Sequence, residues 1–288
     1  TVTYSGSDGS GNPVSASFQI TVLDNQAPTF TSAPSNMDMS NDLDSCGAIV
    51  NWENAIPDDN CGILSTNSSH QSGSFFATGS TEVTVTTTDT AGISTEHLFT
   101  VTINDTQQPA LLNMPAAMSV NNDLDECAAV VNWVAPGTSD NCAGETLQGS
   151  HESGMSFAVG SHTVEYTVTD TSGLTAAASF TITVTDNQLP VFDQAPMDMN
   201  LTTGLGTCEA VANWDSPVTS DNCLVQSVSS TFQSGDSFGV GSHLVEMTLE
   251  DNHGNSQQHQ FNIVVQDLEQ PEFSGMPTNI EQGNDPDS

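Results

Sequence analysis

The sequence predicts an all-β chain, a tandem array of small two-sheet sandwiches repeating every 81 residues. Three observations predict it. First, a segment with two cysteines 15 positions apart, a tryptophan six after the first and Asp-Asn before the second occurs three times at that spacing. The copies are Cys46 to Cys61 (CGAIVNWENAIPDDNC), Cys127 to Cys142 (CAAVVNWVAPGTSDNC) and Cys208 to Cys223 (CEAVANWDSPVTSDNC). Second, runs such as Phe99-Thr-Val-Thr-Ile103 alternate large apolar and small polar residues, the pattern of a half-buried strand. Third, turn residues recur every 8 to 12 or so positions and no stretch carries a helical period.

Self-similarity at a fixed period defines the folding unit. The unit boundaries follow from a second marker. Asp24-Asn-Gln-Ala-Pro28 returns as Asp105 to Pro109, Asp186 to Pro190 and Asp267 to Pro271, each time after an alternating run. Proline cannot donate to a sheet ladder, so each marker closes one unit and opens the next. Residues 1–26 are then the C-terminal part of a preceding repeat. Residues 27–107, 108–188 and 189–269 are whole repeats, and 270–288 is the N-terminal part of a following one. Such ends are expected of a window from a longer array.

Within the first whole repeat the strands are expected in order: an edge segment over 28–39, then 48–52, 63–70, 74–77, 81–88 and 93–103. Turns are expected at Asn41-Asp42, Pro57 to Asn60, Ser72-Gly73, Thr78-Gly79 and Asp89 to Gly92. About seven short strands per unit predict an immunoglobulin-like sandwich. A core of this size buries little more than half of its unfolded surface, so a covalent staple would help it.

The charge balance narrows the function. There are 36 acidic residues and no lysine or arginine. Nucleic-acid binding is excluded, since that affinity is built on lysine and arginine. An anionic membrane surface would repel the chain, and no apolar run approaches the length of a membrane span, so no membrane insertion is expected. The carboxylates must be solvated, hydrogen-bonded or held by metal cations.

At these residues a family comes into view. Cys-x-Ala-x-Val-x-Trp, then Pro, Asp-Asn-Cys, Phe-x-x-Gly-Ser-x-x-Val and Thr-x-x-Asp-x-x-Gly resembles the hyalin repeat. The resemblance spans all three whole units and both partial ones. It implies an immunoglobulin-like fold and an extracellular, adhesive setting. Many repeats of that family carry further cysteines, which Thr66 to His70 and Thr95 to Phe99 lack.

Six cysteines allow 15 pairings. The repeat favours Cys46–Cys61, Cys127–Cys142 and Cys208–Cys223, each closing a loop within its unit. The rival is a bridge between units, such as Cys61 to Cys127. Either implies an oxidising compartment. Trp52, Trp133 and Trp214 occupy the place of a core tryptophan packed against a disulfide.

The loop between the last two strands holds Asp8, Asp89, Asp170 and Asp251, each with a glycine three residues on. It should face the junction aspartates Asp24, Asp105 and Asp186, with Asp59, Asp140 and Asp221 added if their loop reaches the same end. Calcium takes six to eight oxygen ligands from flexible carboxylate loops, so these are its candidate ligands. The linker also resembles the Asp-Asn-x-Pro junctions of cadherin-like arrays. The competing reading is that each aspartate only caps its own turn. Asp42/Asp44 recurs as Asp123/Asp125 and Asp285/Asp287, but the third unit has Thr203-Gly-Leu-Gly206 there, so a site needing that pair could not exist in every unit.

No nucleophile elbow, phosphate loop or zinc-protease motif is present, and the histidines change to Phe or Thr between copies, so no enzyme is expected. Sequons at Asn67, Asn104 and Asn200 fall at different places in the unit. The expected function is that of an extracellular structural or adhesive array, a stalk or a filament former. Its partners would be further repeats of the same chain or other copies of it. The alternative is a binding module in which one repeat recognises a glycan or protein.

Overall fold

A computed structural model of the chain describes residues 1–276, 278, 279 and 281. Asp285 and Asp287, with seven other residues of the segment assigned to a following repeat, lie outside the described residues. Among the described residues there is no helix, and none is long and apolar enough to cross a membrane. Spatial grouping yields two compact units, Thr1–Met114 with Ala135–Ser150 and Glu165–Ser179, and Pro115–Val134 with His151–Val164 and Phe180 onward. The division passes through the second repeat.

The first unit opens on an antiparallel hairpin of β1 (Val2–Ser7) and β2 (Pro13–Phe18). The first whole repeat follows with β3 (Thr29–Ser32), β4 (Met37–Ser40), β5 (Gly47–Val50), β6 (Ile56–Asp58), β7 (Ile63–Ser68), β8 (Ser74–Ala77), β9 (Gly79–Asp89) and β10 (Ser94–Asn104). A four-stranded sheet runs β4-β10-β9-β7, and the pairs β3-β6 and β5-β8 complete the sandwich. The third repeat, in the second unit, has the same design. Its main sheet runs Met199–Thr202, Ser256–Gln266, Gly241–Asp251, Val225–Ser230.

Two expectations change at this level. The edge segment is two strands, because β3 pairs antiparallel with β6 whereas β4 runs parallel to the end of β10. Pro57 and Asp58, expected in a turn, lie in β6. Proline is tolerated there because an edge strand leaves its missing N–H without a consequence.

Alternation fills the core. Val83 and Val85 of β9 and Phe99, Val101 and Ile103 of β10 point inward with Ala48, Val50 and Phe76. Each such side chain contributes roughly 1.5–3 kcal/mol through removal from water. Trp52 sits after β5, half-buried, with its ring edge-on to Phe99 at 5.4 Å and to Phe76 at 5.8 Å. Trp133 meets Phe180 and Trp214 meets Phe261 in the same way. The tryptophans are therefore core plugs packed on phenylalanine.

Four of the seven histidines hold backbone carbonyls in place. His97 and His259 lie 2.7 and 2.8 Å from the Pro34 and Pro196 carbonyls, and His162 and His243 reach Ala158 and Gly239.

Candidate functional site at the repeat junctions

The parallel β4–β10 pairing sets where each joint forms. It carries the loop after β4 to the linker that leaves β10, where Asn41 Oδ1 accepts the Thr106 amide. In the same loop the Asp44 amide donates to Gln107 Oε1, and the Gln107 side-chain amide returns a bond to Asp44 Oδ1. Asp44 and Asp125 adopt positive φ (57° and 61°), and Gly206 takes that role in the third repeat at 69°. This accounts for Gly206 at the place of Asp44 and Asp125. The position requires a left-handed backbone, which Asp and Gly both tolerate, and its N–H is received by Gln107, Gln188 or Glu269.

The cysteines depart from the favoured pairing. Cys46 bonds to Cys142 and Cys127 to Cys223, each across 96 residues, with Cα atoms 4.8 and 4.7 Å apart. The first cysteine of one repeat thus joins the second cysteine of the next, and Cys61 and Cys208 are free and exposed. The expected loops Cys46–Cys61, Cys127–Cys142 and Cys208–Cys223 do not form, and neither does Cys61–Cys127. The reason is positional. Cys46 follows the loop that packs on the outgoing linker, whereas Cys61 lies beside Asp24 of the incoming one, so the two mark different joints.

The asparagine of Asp-Asn-Cys reinforces each bridge. Asn141 Nδ2 donates to the Ser45 carbonyl (3.2 Å) and to Asp105 Oδ1 (3.1 Å). Asn222 Nδ2 does the same with the Glu126 carbonyl (3.2 Å) and Asp186 Oδ1 (3.5 Å). The sequence offered a signal for this asparagine, since it stands beside the cysteine in all three copies.

Three acidic turns supply the carboxylates. The linker aspartates Asp24, Asp105 and Asp186 each accept the amide two residues ahead on Oδ1. Asp59, Asp140 and Asp221 accept the amides of Cys61, Cys142 and Cys223 on Oδ2. Asp89, Asp170 and Asp251, closing their strands, each accept two amides of the following turn on Oδ1. Each aspartate therefore caps its own turn with one oxygen only.

The second oxygen is the chemically notable one. In eight of these nine aspartates it is buried without a hydrogen-bond partner, and the Oδ1 atoms of Asn141 and Asn222 share that state. Asp251 is the exception, because the Asn255 side-chain amide donates to its Oδ2 at 2.7 Å. Asp89 and Asp251 are fully buried, and Asp170 and Asp186 are 6% and 5% exposed. Bare carboxylate oxygens in such places are costly unless a cation meets them, and no lysine or arginine exists to do so.

The linker aspartates converge with those beside the cysteines, whereas Asp89 and Asp170 join no such group among the described residues. Asp24, Asp59 and Cys61 offer ligand atoms within 4.8 Å of one another, and so do Asp105, Asp140 and Cys142, and Asp186, Asp221 and Asp251. Cys142 is consumed in its bridge, which leaves oxygen donors at that joint. Flexible loops of carboxylate, carboxamide and carbonyl oxygens are the donor set of calcium. The Cys61 thiol is held above its usual range, first by its hydrogen bond with Asp24, then by desolvation and by the charges of Asp24, Asp59 and Asp89. Burial opposes ionisation of Asp251, but the Asn255 side chain and the His253 and Asn255 amides outweigh it and keep that carboxyl below the ordinary range.

A family model, the HYR domain, matches residues 23–103, 104–184 and 185–265, the same period cut a few residues earlier than the proline marker. Hyalin of Strongylocentrotus purpuratus is 36% identical over 275 residues, covering 88% of this chain and 22% of that protein. Hyalin of Lytechinus variegatus is 29% identical over 262 residues, covering 88% and 49%. The chain therefore spans less than half the length of either. The solved protocadherin gamma B2 extracellular cadherin domains 1–5 align over 93% of this chain and 72% of their own at 13% identity. The TM-score is 0.32, too low to carry an argument.

Proposed function

This chain belongs to the HYR domain family, and from that premise we propose that it is part of an extracellular structural and adhesive array whose repeats are tied to one another at every joint. The single observation that supports this most is the bridge pattern. Cys46–Cys142 and Cys127–Cys223 overlap, because Cys127 precedes Cys142 in the chain. Tension applied before Cys46 and after Cys223 passes through the first bridge, back along the Cys127–Cys142 segment, and out through the second. The bulk of each repeat is bypassed. An adhesive array gains from this, since unfolding of a repeat does not lengthen the tether. By the same rule Cys61 and Cys208 are offered to neighbouring repeats, the partners that an array supplies.

Calcium at the joints is the second half of the reading. The bare oxygens of Asp24 with Asp59, Asp105 with Asp140, and Asp186 with Asp221 receive it, with Asp251 beside the last pair. The ion supplies the positive charge that the composition withholds, and it fixes the linker against the repeat it enters.

Thermal unfolding of the oxidised chain, with calcium or with chelator at constant ionic strength, tests this half. Calcium at 100 times its dissociation constant should add about 2.7 kcal/mol per site. Asp105→Asn together with Asp140→Asn should remove the share of one joint. Coincident melts with and without calcium would refute the cation reading.

A further inference from the structure

The Asp186–Asp221–Asp251 joint differs in chemistry from the other two. Its strand-end turn reads Asp251-Asn-His-Gly-Asn255, where the earlier repeats have Ala91 and Ser172 in place of His253, and Ile93 and Leu174 in place of Asn255. Both differences act on the cluster. The Asn255 side-chain amide occupies Asp251 Oδ2, the oxygen that is bare in Asp89 and Asp170, and so withdraws one hard ligand. His253 adds an imidazole, with Nδ1 3.3 Å from Asp186 Oδ2. The pair is within ion-pair distance, yet Asp186 Oδ2 receives no hydrogen bond, and its side chain is fully buried.

An imidazole nitrogen and a bare carboxylate oxygen thus address the same space, with Asp221 Oδ1 and Asn222 Oδ1 also unpartnered at the joint. Cys223, which shares the cluster, is closed in its bridge and offers no thiolate. Imidazole selects zinc-like transition metals, whereas calcium and magnesium take oxygen alone. Zinc is satisfied by a few nitrogen and carboxylate ligands plus water, which is what remains here once Asn255 has taken its oxygen.

We propose that Asp186 and His253 form a mixed nitrogen–oxygen site at their joint that prefers a zinc-class divalent cation, whereas the Asp105–Asp140 joint offers oxygen alone. The proposal rests on reading the joints as cation sites, and it makes them unequal: neighbouring junctions of one array answer to different ions. Asp186 Oδ2 and His253 Nδ1 are the ligands, with water in the remaining positions; Asp221 lies beside Asp186 but in a separate group from His253, and Asn255 is a positioning residue.

The test is calorimetric titration of the intact oxidised chain with zinc chloride, beside the His253→Ser variant, which carries the residue found in the preceding repeat. His253 is one-third exposed, so the variant should fold. The expected result is a loss of zinc affinity of at least about 10-fold, since even an outer partner of a metal ligand is worth on the order of 10- to 100-fold. The ring signals of His253 should also shift on zinc addition to the unsubstituted chain, and the calcium response of Asp105 and Asp140 should be unchanged in the variant. Equal zinc affinity in both chains overturns the proposal, whatever calcium does. Zinc affinity lost with His253, in a chain that calcium does not stabilise at all, leaves the proposal standing and overturns only the calcium reading.

Discussion

Pulled from its two ends, the oxidised chain should release about 550 Å less contour on complete unfolding than the reduced chain. The estimate follows from the bridge pattern and an extended length of roughly 3.4 Å per residue. With both bridges open, the stretch from Cys46 to Cys223 extends to about 600 Å. With both closed, the path between those cysteines runs only through the Cys127–Cys142 segment, about 50 Å. Single-molecule force spectroscopy with and without reductant reads the difference directly. Bridges confined within each repeat would shorten the path by only a short loop per unit, so a small difference would contradict the interlocked arrangement.

Loss of one bridge should also be among the most destabilising single changes available. Each bridge closes a 96-residue loop, and in the chain-entropy account a loop near that size is worth about 4.7 kcal/mol. Cys46→Ser should therefore lower the unfolding free energy by about 4–5 kcal/mol, measured by denaturant titration. Cys61→Ser is the discriminating control, because that thiol is free and its replacement should change stability little. Had the loop closed within the repeat, both substitutions would cost the same, about 3 kcal/mol for a 15-residue loop. Equal losses would count against the inter-repeat bridge.

Much of this was readable from the chain, for identifiable reasons. The period is carried by residues with narrow structural roles, so the repeating unit and its all-β class follow from them. The long strands were legible because Val83, Val85, Phe99, Val101 and Ile103 alternate strictly. The short strand at Ile56–Asp58 was not, since three residues with a proline read as a turn until β3 is seen beside them. The junction carboxylates could be anticipated because a linker aspartate and a strand-end aspartate recur in step. That the linker aspartates use one oxygen on their own turn and leave the other bare is a matter of three-dimensional placement.

The cysteines show where sequence spacing misleads. Two cysteines 15 positions apart suggest a local loop, and repetition makes the suggestion firmer. Yet a repeat places its first cysteine at the exit and its second at the entrance. The nearest partner in space then belongs to the adjacent unit. No periodicity reports this, because a period is blind to which copy a residue touches. The Asp42/Asp44 pair shows a second limit: Asp44 stands where the backbone is left-handed, a requirement of angle that the residue's chemistry does not reveal.

The central claim is that the repeats are joined covalently, and disulfide mapping after cleavage at glutamate tests it most directly. The chain has no site for trypsin, but glutamates separate the cysteines well. Cys46 falls in peptide 1–53, Cys61 in 54–82, Cys127 and Cys142 together in 127–145, Cys208 in 166–209 and Cys223 in 210–246. Under non-reducing conditions one species should contain 1–53, 127–145 and 210–246 linked together, with 54–82 and 166–209 recovered as free thiols. Recovery of 1–53 linked to 54–82, of 127–145 bridged only to itself, and of 166–209 linked to 210–246 would contradict it.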